Sequence, residues 1–312
     1  MRVERTIGTY IADIRKSPMN KIILSADSTC DIGPELQDKY GVQFFNLHIQ
    51  IGEKTYIDML EITAEDIYAA WRQHGLLPKT AAVTPEDYRN FFQPWIEEGY
   101  SVLHVSLGSG LSSSYQNCCL VAEEYKNVYT VDSANLSTGA GYLVVLAGEM
   151  IAAGMKAPDI QKELIALREN MEASFLLDTL EFMNAGGRCS AVTAFGANIL
   201  RIKPCIEVDN KNGGNMVVGK KYRGPLEKVL TKYVDDKIGN RSDLDLSRLF
   251  ITHSGSPPED IDMVYNHVLE LADFKEIHIT KASGTISAHC GPRTLGLLFM
   301  ATKRSSDRQI IF

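Results

Sequence analysis

The sequence lacks any C-x-x-C pair, although it holds six cysteines, at positions 30, 118, 119, 189, 205 and 290. None stands at zinc-ligand spacing from a histidine, so no metal site is expected. The adjacent Cys118 and Cys119 would point in different directions on a helix. Six scattered cysteines without a framework are those of a reduced, cytoplasmic protein. A secretory leader is also missing, because residues 1–20 contain no continuous apolar core. The uncharged run "SANLSTGAGYLVVLAG" between Asp132 and Glu149 has 16 residues, many of them small or polar. It is too short and too mixed to cross a bilayer and predicts a buried helix packed on a sheet. A basic excess is absent too: the formal net charge is −7, which argues against nucleic acid as a partner. There is no internal repeat, no low-complexity tract, no G-x-x-x-x-G-K-[ST] phosphate loop, no G-x-S-x-G elbow, no H-E-x-x-H and no paired-carboxylate motif.

What is present is an alternation. Strand-like runs at 21–26, 42–52, 101–106 and 127–132 are separated by helix-like ones at 33–41, 63–75 and 84–99. Thr63 and Thr84 are expected N-caps, with Pro85 at a first helical position and Gly75 as a stop. Further helices are expected after Leu136 and over 158–173. Strands alternating with helices predict βαβ units and a mostly parallel sheet. Beyond residue 173 the texture changes. A hairpin is expected over 202–223 with "NKNGGN" at its tip. "RLFITHSG", "KEIHITKA" and "TLGLLFMAT" read as strands, and 257–273 as a helix. The predicted fold is therefore two α/β domains, 21–172 with a mostly parallel sheet and 173–312 with a mixed or antiparallel sheet and flanking helices. Residues 1–20 are an N-terminal extension.

Four segments carry candidate chemistry. "SLGSGLSSSYQ", Ser106 to Gln116, lies between a strand and a helix, at the sheet edge where open α/β folds bind ligands. Ser113 and Gln116 have capping-box spacing, and free N–H groups there would favour an anion. A solvated serine-rich turn fits the loop equally well. "AHCGPRTLG" offers His289 before Gly-Pro, either as a donor to a ligand or as an exposed histidine near a turn. "NAGGRCS" offers Arg188 after paired glycines, as an anion fork or as a surface arginine at a helix stop. "KTAAVTPEDY" offers Thr80 and Thr84, which an ordinary loop and N-cap would also explain.

In this order, and together with "SADSTCDI", "VDSANLSTGAG" and "IKPCIEV", these segments resemble the DegV family of bacterial fatty-acid-binding proteins, the lipid-carrying partners of fatty acid kinase. The resemblance runs from about residue 21 through nearly the whole chain. It implies an apolar tunnel in or between the two domains, no cofactor, and no catalysis by this chain. It implies a bound long-chain fatty acid whose carboxylate is held by Thr80, Ser112 and His289. Thr84, Ser109, Arg188 and Arg293 would surround the head group, and Lys221 and Arg223 would face the kinase. Transient contact with a membrane surface follows from loading the lipid. Roughly 14 buried methylenes would contribute about 11 kcal/mol before ordering costs. The chain departs from the family where T-S-Q-P-S is common: it reads Thr80-Ala81-Ala82-Val83-Thr84. It also carries Arg293 where the family reads G-P-G, and "MNAGGR" where it reads "LKRGGR". From the residues alone, the competing readings are an acyl or ester hydrolase, using Ser112 or Ser109 as nucleophile with His289 as base, and a sensor of small acids or nucleotides.

Overall fold

The computed structural model of the chain describes residues 21–193 and 202–302. The expected leading helix of residues 1–20 lies outside them. The first half is a four-stranded parallel sheet, order β2-β1-β6-β7, made of β1 (Ile22–Asp27), β2 (Gln43–Phe45), β6 (Ser101–Ser106) and β7 (Val128–Asp132). Strands β1 and β6 are buried at nearly every position because helices cover both faces. Two of these, α3 (Pro85–Glu97) and α4 (Ser114–Ala122), pack Tyr88, Phe92 and Val121 against Ile23 and Val102. On the other face lie α1 (Gly33–Tyr40), α5 (Ser137–Ala152) and α6 (Ala157–Leu167).

The run 42–52, expected as one strand, divides. Its second part, β3 (His48–Ile51), leaves the parallel sheet and pairs antiparallel with β4 (Lys54–Ile57) and β5 (Lys79–Thr80). Asn46 marks the break, its Nδ2 donating to the Asp58 carbonyl at 2.9 Å. Between these strands runs α2 (Ala64–His74), which starts and stops where the sequence says. Thr63 and Asp66 form a capping box, and Gly75 closes the helix at φ 66°.

The second half is a six-stranded mixed sheet, order β10-β9-β8-β13-β11-β12. Its members are β8 (Met171–Leu176), β9 (Ile202–Asp209), β10 (Asn215–Arg223), β11 (Leu244–Ser254), β12 (Glu276–Lys281) and β13 (Thr294–Ala301). Only β11 and β12 pair in parallel. The expected helix 158–173 is shorter: α6 ends at Leu167, a single 3-10 turn follows, and Met171 already begins β8. By sheet membership Met171 and Glu172 therefore go with the second half. The outer face is covered by α9 (Leu226–Ile238) and α10 (Pro258–Leu271). Short helices α7 (Glu181–Gly186) and α8 (Ser190–Thr193) follow β8.

Helix α5, free of charge up to Glu149, is a spine shared by both halves. Leu143, Val144 and Val145 belong to one core with Leu24 and Val105 of the parallel sheet and with Phe250 and Leu298 of the mixed sheet. A helix apolar on all sides is buried on all sides, which is why its first charge waits until Glu149. No helix among the described residues is long and apolar enough to cross a membrane.

The last helix, α11 (Gly284–Cys290), was not expected. Seven residues do not hold a helix by propensity. Two buried carboxylates from the first half hold this one. Asp58 accepts from the Gly284 amide at 2.8 Å and the Thr285 amide at 3.1 Å; Asp31 accepts from the Ser283 amide at 2.8 Å. These are the orphan amides of a helix start, capped from across the molecule.

Candidate functional site

An apolar cleft opens between the two halves, bounded by Leu47, Leu107, Leu111, Met183 and Met216. Its polar lining comes from Thr80, Ser112, Arg188, Thr285 and His289. Four segments, far apart in sequence, therefore meet. Each is brought there by a separate device.

Thr80 ends β5 and pairs with Ile49, so the small sheet fixes it. The next residues, Ala81 and Ala82, line the cleft with methyls. Val83 is then clamped to the start of α4: its amide donates to Ser114 Oγ at 3.1 Å, and its carbonyl accepts from Asn117 Nδ2 at 2.7 Å.

Ser112 sits in the loop after β6. That loop is held at almost every peptide. The Leu107 amide donates to buried Asp27, and the Gly108 amide to the Asn135 carbonyl. Asp132 takes the amide of Ser109, and the Gly213 carbonyl of the β9–β10 hairpin tip takes that of Gly110. What the loop offers the cleft is thus a hydroxyl and not a nest of free amides. Ser113 stands at the N-cap of α4 without a side-chain bond, and Gln116 reaches the Ser109 carbonyl at 3.3 Å, so the expected capping box does not form. Ser112 Oγ accepts from the Ser114 amide at 3.2 Å and lies 2.8 Å from Ser114 Oγ. Because Ser114 Oγ already accepts from Val83, its own proton is available for Ser112. The Ser112 proton then remains free to donate.

His289 lies in the last turn of α11, and its Nε2 is 2.8 Å from Thr80 Oγ1. Its Nδ1 is buried with no partner, against Gly186, where a Cβ would collide with the ring. Burial, and then the nearby Arg188, lower its pKa to about 4. The imidazole is neutral. A proton on Nδ1 would have no acceptor, so the ring carries its proton on Nε2 and donates to Thr80. Thr80 is left to donate its own proton into the cleft. Arg188 is exposed at the rim, with one guanidinium nitrogen on the Gly186 carbonyl at 2.6 Å.

Three residues expected around a head group stand elsewhere. Thr84 is exposed and forms the capping box of α3 with Asp87, donating to its carboxylate at 2.6 Å. Ser109 donates to Asp132 at 2.7 Å. Arg293 pairs with buried Asp260 of α10 at 2.7 Å. In each case a local carboxylate turns the side chain away from the cleft. Lys221 and Arg223 are exposed on β10 and border a surface groove with Lys220 and Lys232. The sequence did not single out Asp31 or Asp58, which hold backbone amides more than 200 positions away.

A family model described as uncharacterised proteins of the DegV family matches residues 21–302. The chain belongs to the DegV family. A DegV domain-containing protein of Clostridium perfringens is 26% identical over 284 residues, covering 90% of this chain and 99% of the relative. Among solved structures, a DegV-family protein of Thermus thermophilus that binds fatty acid has 27% identity and a TM-score of 0.79. The match covers 90% of this chain and 99% of that one. A stearic-acid-binding protein of Eubacterium ventriosum shares the fold, with a TM-score of 0.72 at 24% identity over 91% and 99% of the two chains. DegV-family structures thus include fatty acid binders, and this DegV chain has their mixed α/β fold. No group of three His, Cys, Asp or Glu side chains suited to a metal occurs among the described residues.

Proposed function

We propose that this DegV chain is a cytoplasmic carrier of a long-chain fatty acid, which it holds in the cleft with the carboxylate at the polar residues. It presents that carboxylate to a separate fatty acid kinase, which makes the acyl phosphate with ATP. One observation carries the binding reading: the hydroxyls of Thr80 and Ser112 both line one mainly apolar cleft, and with the bonds assigned above each keeps a proton to donate. Two such donors match one carboxylate, whose burial unpaired would be costly. His289 acts through Thr80, as the group that fixes the direction of the Thr80 proton. Arg188 at the rim supplies the nearest positive charge. The kinase reading is supported by the family resemblance and by the exposed cations Lys221 and Arg223 on an edge strand. Membrane contact follows from the need to take up an insoluble ligand.

Release of copurified ligand by denaturation, followed by mass spectrometry, tests the reading directly. A fatty acid is the expected product. Recovery of no lipid, together with no binding of added palmitate, would sink it. The hydrolase reading is the weaker one. His289 bonds to Thr80 and to neither serine, and burial leaves its imidazole too weak a base for activating a hydroxyl near neutral pH. Stoichiometric labelling of Ser112 or Ser109 by a serine-reactive phosphonate would reverse that ranking.

A further inference from the structure

Among the described residues, three hydroxyls line the cleft, and two of them have partners: Thr80 with His289, and Ser112 with Ser114. The third, that of Thr285 in α11, makes no hydrogen bond with any described residue. Thr285 is only 4% exposed, so bulk water does not satisfy it either. A buried hydroxyl left unpaired is costly and uncommon.

The fold does not call for this hydroxyl. Residue 285 serves the start of α11 through its main chain: its amide donates to Asp58 at 3.1 Å, beside that of Gly284 at 2.8 Å. Capping is the work of Ser283, whose Oγ accepts from the Ile286 amide at 3.4 Å. A valine would supply the same amide and the same β-branched volume without an unpaired oxygen.

Position and polarity indicate what would meet it. Residues four apart share a helix face, so Thr285 stands about one turn, roughly 5.4 Å, before His289, the residue that fixes Thr80. A group on the carbons next to a carboxylate held by Thr80 and Ser112 lies within such a step. Burial raises the Asp58 pKa, and the Thr285 hydroxyl is the strongest influence pulling it down. The Thr285 proton is therefore drawn towards Asp58, which leaves its oxygen lone pairs for the cleft. An ionised carboxylate has no proton to offer them. A hydroxyl on the chain beside the carboxylate does.

We propose that Thr285 reads a hydroxyl on the second or third carbon of the bound acid, so that this chain prefers hydroxy fatty acids to unsubstituted ones. The proposal rests on the fatty-acid reading of the same cleft and names the class of acid within it. An unsubstituted acid leaves the Thr285 oxygen unpaired, and a site built around a hydroxyl discriminates against the analogue that lacks it.

The test titrates the full chain with palmitate, 2-hydroxypalmitate and 3-hydroxypalmitate. One of the hydroxy acids should bind about tenfold more tightly than palmitate, the worth of one hydrogen bond. Thr285→Val should bring that ratio close to one, and Thr285→Ser, which keeps the oxygen, should retain it. Thr80→Val is the contrast: it should weaken all three acids and leave their ratios in place. Palmitate bound as tightly as both hydroxy acids by the unaltered chain would overturn the proposal and leave the fatty-acid reading standing. A Thr285→Val chain that keeps the ratio, or loses palmitate and the hydroxy acids in equal measure, would overturn it too. If the unaltered chain binds none of the three acids, both readings fail.

Discussion

Thr80 and His289 lie 209 positions apart, and their side chains meet at 2.8 Å. One sits on a two-residue edge strand of the first half, the other on a seven-residue helix of the second. Neither element would persist alone. The pair exists because each half holds the other's weakest piece in place, and the polar lining of the cleft depends on that exchange.

Removing either hydroxyl should therefore weaken fatty acid binding without unfolding the chain. Thr80→Val and Ser112→Ala each delete one donor to a carboxylate, worth about 1.5–3 kcal/mol, or roughly ten- to a hundredfold in Kd. Calorimetric titration with palmitate checks this. Unchanged affinity in both variants would remove the carboxylate from these residues.

Gly186→Ala should act at a distance of one side chain. The added methyl collides with the His289 ring, which must rotate away from Thr80. We expect palmitate affinity to fall by about tenfold, the worth of one misdirected hydrogen bond. His289→Ala should give a loss of the same order, and the double variant should lose little more, since the two changes break one relay.

Asp31 gives the fold an unusual pH response. Burial raises its pKa to about 7, although Ser137 and Ser283 donate to it and pull the other way; nearby Asp58 adds a smaller upward push. The folded chain thus holds a proton that the unfolded chain releases near pH 4. Between those values the native state binds more protons, so this group's contribution to stability falls as pH rises from about 4 to about 7. His289 has the opposite sign: its lowered pKa removes stability as pH drops from about 6.5 towards 4. Urea melts of Asp31→Asn against the unaltered chain, at about pH 5 and pH 8, separate the two. The difference in stability between the chains should change with pH in the direction given for Asp31.

His267 joins α9 to α10, with Nδ1 2.9 Å from Glu270 and Nε2 2.7 Å from Asp235. Its hydrogen bond to Glu270, then that to Asp235, raise its pKa. Its contribution is complete below the ordinary histidine pKa and is lost as pH rises through the raised value. His267→Gln should reduce the melting temperature at about pH 6 and leave it nearly unchanged at about pH 9. Equal losses at both values would mean that the imidazole acts by packing alone.

Much of the frame was legible from local signals. Thr63 and Thr84 announced their helices through side chains that bond three residues ahead, and the hairpin tip at Asn210–Asn215 announced itself through its glycines. The charge-free run 133–148 announced burial, though not that two sheets would share it. What stayed illegible depended on distant partners. Helix α11 is held at its start by Asp31 and Asp58, and the one local signal in its sequence is the N-cap Ser283. Thr84, Ser109 and Arg293 have the chemistry of ligand residues, and only their pairing with Asp87, Asp132 and Asp260 shows that they are engaged elsewhere. Thr80, Ser112 and His289 could be grouped only through the family resemblance; no spacing rule joins them.

The position of α11 has a consequence for assembly. Until Gly284–Cys290 docks on Asp31 and Asp58, the cleft lacks Ile286, His289 and Cys290 from its lining, and Thr80 lacks its imidazole partner. Completing the cleft is therefore coupled to joining the two halves.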